Sequence, residues 1–68
     1  MTGFNTKIKN IRIQKKLTQK QLAELIGIAE RHYQNYEYGT REPNLATFKR
    51  IAETINVSAD YLLGLKEK

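Results

Sequence analysis

Cysteine is absent from this chain, histidine and proline occur once each, and no apolar run exceeds two or three residues. Without cysteine there is no disulfide framework, so a chain of 68 residues must rely on packed helices or on self-association. A reducing cytoplasm suits it. One histidine and no cysteine leave the usual zinc ligand sets empty, so neither a metal nor another cofactor is expected. Runs such as Tyr61-Leu62-Leu63 fall far short of the ~20 residues that span a bilayer, and no charged-then-apolar opening suggests a secretory signal. No membrane partner and no small-molecule ligand are expected. Paired carboxylates and a phosphate-binding glycine loop are missing as well, which sets enzymes aside.

What is present points elsewhere. Twelve Lys and Arg against seven Asp and Glu leave a net charge of +5, which favours an acidic partner such as nucleic acid. An apolar fraction of 40% supports a core and argues against a disordered basic tail. The length fits one domain, residues 1–68, with a structured part over about 4–64 and a tail at 65–68. Such a chain buries only about 60% of its unfolded surface, so a deep catalytic cleft has no room.

Every segment reads as helix, and no strand pattern competes, so the fold class is all-α. From about Phe4 to Lys16, Phe4, Ile8 and Ile11 form an apolar stripe amid Lys7, Lys9, Arg12, Lys15 and Lys16. Thr18-Gln19-Lys20-Gln21 has the form of a capping box, so a second helix starts there, with Leu22, Ala23 and Ile26 on one face. Gly27 closes it in the left-handed conformation, and Ile28 folds back onto the same face. Glu30 to Tyr38 is too short to be a stable helix alone and needs tertiary packing, with Tyr33 and Tyr36 inward and Gly39 as its end. Thr40 to Pro43 reads as a loop, because the residue before proline avoids helical geometry. Asn44 caps a longer helix whose core stripe is Leu45, Phe48, Ile51, Ala52 and Ile55. Ser58 caps a last short helix, Val57 is stapled to Leu62, and Gly64 ends it.

The informative unit is the pair of helices 19–26 and 30–38. A turn of about three residues between helices forces a steep crossing, at ~90–120°, so the second helix projects, and Ala23 sits at the crossing. A projecting helix ~10–12 Å across matches a B-DNA major groove about 12 Å wide. Its outer face carries Glu30, Arg31, His32, Gln34 and Asn35.

Thr18-Gln19-Lys20-Gln21-Leu22-Ala23, Gly27-Ile28, Tyr36-Glu37-Tyr38-Gly39, Glu42-Pro43-Asn44-Leu45 and Val57 through Gly64 follow one another in a specific order and spacing. In this the chain resembles the Cro/C1-type (XRE-like) helix-turn-helix repressors along nearly its whole length. The resemblance implies a compact five-helix bundle like the lambda repressor domain. It also implies a bacterial or phage-encoded transcriptional regulator that binds a pseudo-palindromic double-stranded operator as a homodimer. By the same resemblance, Glu30, Arg31, Gln34 and Asn35 face base edges, while Gln19, His32, Thr40 and Arg41 lie along phosphates. Arg31 suits guanine, Asn35 or Gln34 suits adenine, and Glu30 either accepts from cytosine or favours its helix N-terminus. Lys9 and Lys16 are further phosphate candidates. Arg12 and Glu37 match a family ion pair that supports the recognition helix, and Tyr61, Leu62 and Leu65 match the region of dimer contact.

Three departures stand out from the family pattern. Ala29 replaces a capping Ser or Thr, Tyr33 fills a site usually Ile or Val, and Ile13 and Leu25 occupy positions that are often polar. At position 33 the larger side chain requires either a somewhat wider core or a tilted ring with its hydroxyl at the edge. Plainer readings run alongside: His32 as an ordinary exposed residue, the tyrosines as core and rim, Tyr61, Leu62 and Leu65 as pure core, the lysines as a solvated face, and Ile13 and Leu25 as stray surface apolars. Other function classes using this module are an antitoxin, a restriction-modification controller, or a protein-interaction module displaying Ile13, Leu25 and Tyr61.

Overall fold

The computed structural model describes residues 3–67, so Met1, Thr2 and Lys68, the last being the end of the expected tail, lie outside the described residues. Five helices follow in order: α1 Phe4–Gln14, α2 Gln19–Ile26, α3 Glu30–Tyr38, α4 Leu45–Ile55 and α5 Ala59–Leu63. No strand occurs among the described residues. Helix α3 packs against α1 and α2, α4 against α2, and α5 against α1 and α4.

Local chemistry explains most boundaries. Thr18 Oγ1 accepts from the Gln21 amide at 3.0 Å while Gln21 Oε1 accepts from the Thr18 amide at 2.8 Å, completing the capping box of α2. Asn44 caps α4 through the Thr47 amide at 2.8 Å, and Ser58 caps α5 through the Tyr61 amide at 3.1 Å. Helix α1 ends two residues before the expected Lys16. Lys16 instead takes a left-handed conformation at φ 59°, which turns Leu17 back onto the core. A single strained residue is offset there by the burial of a leucine.

The core joins Phe4, Ile8 and Ile11 of α1 to Leu22, Ala23 and Ile26 of α2, Tyr33 of α3, Phe48, Ile51 and Ile55 of α4, and Leu62 of α5. Phe4 and Phe48 meet with ring centroids 5.7 Å apart in a tilted arrangement. Two sequence expectations need correction. Leu45 is not core: it is the first residue of α4 and 83% exposed. Leu62 is not a surface residue available to a second chain, because it is fully buried among the core side chains. Of the two arrangements open to Tyr33, the ring lies wholly inside the core: it is 0% exposed, and the hydroxyl donates to the buried Glu37 carboxylate. An internal acceptor removes the need to reach water.

Candidate nucleic-acid interface

Two features set the angle between α2 and α3. Gly27 sits at φ 88°, and its amide and that of Ile28 both donate to the Ala23 carbonyl, at 2.9 and 3.0 Å. Arg50, from α4, closes the turn from outside, its Nη2 donating to the carbonyls of Ile26 at 2.9 Å and Gly27 at 3.2 Å. Carbonyls at a helix C-terminus attract cations, so Arg50 clasps the end of α2. Ala23 is buried beside this turn, where a larger side chain would separate the helices.

Beneath α3 lies one buried charge. Glu37, whose side chain is 2% exposed, forms an ion pair with Arg12 of α1. Four donors converge on its two oxygens: Arg12 Nε and the Tyr33 hydroxyl on Oε2, and Arg12 Nη2 at 3.2 Å and Gln19 Nε2 at 3.0 Å on Oε1. Burial alone pushes this carboxyl up. The hydrogen bonds from Arg12, Tyr33 and Gln19, with the Arg12 charge, outweigh that and hold it below the usual carboxylate range. The hydrogen bond to Glu37 raises Arg12 despite its partial burial. Burial first, and then the bond to Glu37, push the Tyr33 phenol far above its usual range. Arg12 Nη1 also donates to the Leu17 carbonyl at 2.9 Å, tying α1 to the start of α2.

On the outer side of α3, Glu30, Arg31 and His32 are exposed, while Gln34 and Asn35 are half-buried. Arg31, Gln34 and Asn35 recur at helical spacing and share one stripe. Tyr38, 64% exposed, continues that stripe one turn further. The reading of all four tyrosines as core and rim misses it, although its spacing from Gln34 and Asn35 marks it as part of the stripe. Gln34 Nε2 donates to Gln19 Oε1 at 3.2 Å, which brings a residue assigned to bases and one assigned to phosphate into contact. Likewise Thr40 Oγ1 donates to Asn35 Oδ1 at 3.1 Å. His32 and Arg41 line a shallow depression with Tyr36, Glu42 and Asn44. Helix α3 has no side-chain cap; its first turn is closed by the Ala29 carbonyl, accepting from His32 and Tyr33 at 3.1 and 3.2 Å.

Among the described residues no cluster of three or more His, Asp or Glu side chains is placed to hold a metal. No helix there is long and apolar enough to cross a membrane.

A capped helix, a glycine turn and a second helix braced from beneath and polar outside define a helix-turn-helix unit. The chain belongs to the helix-turn-helix family, of Cro/C1 type, which matches residues 8–62. This is a family of DNA-binding transcriptional regulators, not of enzymes. Among its relatives are two proteins of Bacillus subtilis (strain 168). The HTH-type transcriptional regulator YqaE is 45% identical over 60 residues, covering 88% of this chain and 52% of its own. The HTH-type transcriptional regulator ImmR is 38% identical over 65 residues, covering 96% of this chain and 51% of its own. The cryptic phage CTXphi transcriptional repressor RstR of Vibrio cholerae is 35% identical over 64 residues, covering 94% and 58%. The chain spans about half the length of these curated relatives. No solved structure matches it.

Proposed function

We propose that this domain binds double-stranded DNA in the bacterial cytoplasm and represses transcription from a pseudo-palindromic operator, which it reads as a homodimer. The observation that carries this reading is the stripe formed by exposed Arg31 and half-buried Gln34 and Asn35 along one face of the helix that follows the Gly27 turn. Arg31 supplies the two-pronged donor that guanine O6 and N7 accept, Asn35 and Gln34 supply the amides that suit adenine, and Glu30 accepts from cytosine. Gln19, His32, Thr40 and Arg41 flank that stripe and lie along the phosphates, where backbone N–H groups at the start of α2 add to the binding. The net charge of +5 attracts the duplex. The name of the Vibrio cholerae relative as a repressor supports the regulatory sense.

Tyr61 and Leu65 are the dimer contacts in this reading, supported by Leu65, which is 73% exposed just beyond the Gly64 cap of α5. A two-fold dimer presents its recognition helices about 34–36 Å apart, one turn of DNA. Selection of duplexes from a random pool at a stated salt concentration tests the reading. A half-site motif should emerge, and Arg31→Ala should lose about 1–3 kcal/mol of discrimination at one base pair. Exposure of Ile13 and Leu25 favours a second reading, a protein-interaction module. That module would bind DNA weakly, without sequence preference, and not at all at moderate salt.

A further inference from the structure

An ionised carboxylate offers oxygens only, so every group hydrogen-bonded to it must turn a donor inward. Around Glu37, Arg12 Nε and the Tyr33 hydroxyl occupy Oε2, and Oε1 accepts from both Arg12 Nη2 and Gln19 Nε2. Gln19 therefore has no freedom in its amide orientation. Its Nε2 lies 3.0 Å from the carboxylate, and its Oε1 is left to accept. Gln34 Nε2 meets that oxygen at 3.2 Å. Reversing the Gln34 amide would set two carbonyl oxygens against each other, so the polarity of the buried charge is passed through Gln19 to a half-buried amide on α3.

We propose that Gln19 is a positioning residue for sequence readout: oriented by Glu37, it holds Gln34 Nε2 toward α2 and leaves Gln34 Oε1 and its second N–H for a base edge. This rests on the reading of α3 as the base-contacting helix. A donor beside an acceptor on the major-groove edge describes adenine, through N6 and N7. An unheld amide flips and meets either sense equally; a held one accepts a single orientation. Gln19 thus acts on specificity, beyond any bond it makes to phosphate, while Tyr33 and Arg12 Nε fill Oε2 and Arg12 Nη2 shares Oε1 with it.

Gln19→Met tests this, since it keeps side-chain length and removes the amide. The capping box of Thr18 and Gln21 and the Arg12 and Tyr33 bonds to Glu37 remain, and a thermal melt verifies folding. In the free domain, nitrogen-15 spectra should show Gln34 side-chain amide protons displaced from those of exposed glutamines and slow to exchange with solvent, and both differences should vanish in Gln19→Met. Gln34 signals unchanged by the substitution would overturn the relay. The unsubstituted protein carries the same test, because Gln34 amide protons already equivalent to those of exposed glutamines would refute it. On the selected duplex with each base pair varied in turn, Gln19→Met should cut discrimination about five- to tenfold at one base pair. That pair should be the one at which Gln34→Met loses preference. Equal weakening on every duplex would overturn the positioning role and leave DNA reading intact. Failure of the unsubstituted domain to select any sequence would instead remove the reading on which the role depends, whatever the spectra show.

Discussion

Replacing Arg12 with methionine isolates the energetics of the buried charge. The substitution keeps the aliphatic stem and removes every donor Arg12 gives to Glu37 and Leu17. Glu37 is left 2% exposed as a side chain with only Tyr33 and Gln19 as donors. Breaking one partner of a buried pair costs about 3–5 kcal/mol, because the remaining charge is uncompensated. At 0.05–0.15 kcal/mol per residue, a 68-residue domain has only roughly 3–10 kcal/mol in total. Urea titration should therefore show Arg12→Met losing a third or more of the stability. With about 4–8 °C per kcal/mol for domains of this size, the melting midpoint should fall by about 12 °C or more. Arg12→Met combined with Glu37→Met should recover most of the loss, since no charge is then buried. The folded carboxyl titrates below its unfolded value of 4.5, so its contribution is complete above that pH and is lost as pH falls through the lower folded value. Without Arg12 the carboxyl titrates higher, and the gap between variant and parent should narrow in acid. A single variant within about 0.5 kcal/mol of the parent, or a double variant as unstable as the single, would refute this account of Glu37.

Tyr33→Phe should cost about 1.5–3 kcal/mol by urea titration, the worth of a hydrogen bond to a charged group. Because the folded phenol titrates far above its unfolded value of 10.0, its contribution is complete below that pH and lost as pH rises above it; the variant should lose less stability there. Gly27→Ala should destabilise by about 1–2 kcal/mol, since φ 88° is strained for any residue with a Cβ, and the new methyl meets Arg50 Nη2 at 3.2 Å. A melting midpoint equal to that of the parent would contradict it. Ala29→Ser should stabilise by ~1 kcal/mol in the same assay, because position 29 already has the extended geometry of a helix cap and lacks only the side-chain acceptor.

Interactions spanning three or four residues were legible before any coordinates. The Thr18–Gln21 box, the Asn44 and Ser58 caps, the left-handed glycines 27, 39 and 64, and the stripes that start at Phe4 and Phe48 all follow from local spacing. Each depends on dihedral preferences and hydrogen bonds formed within one turn, which the order of residues specifies directly. Leu45 was misjudged because helical spacing marks a face without saying where the neighbouring helix ends. For Leu62 the pattern leaves core and dimer contact both open, because a short terminal helix has two sides and spacing does not say which is covered. The Tyr33 hydroxyl, the Arg50 clasp on Gly27 and the link from Glu37 through Gln19 to Gln34 were out of reach for another reason. Apart from the bond from Tyr33 to Glu37 within one helix, they join residues 15 to 24 positions apart. Such contacts exist only once α1, α2, α3 and α4 have packed, because side-chain donors find distant acceptors through the docking of helices. Even the short-range bond from Tyr33 turns inward because that docking has enclosed a carboxylate. Residue order laid down the helices and the face they would hide, whereas packing around one buried charge set how the polar side chains of α3 are held.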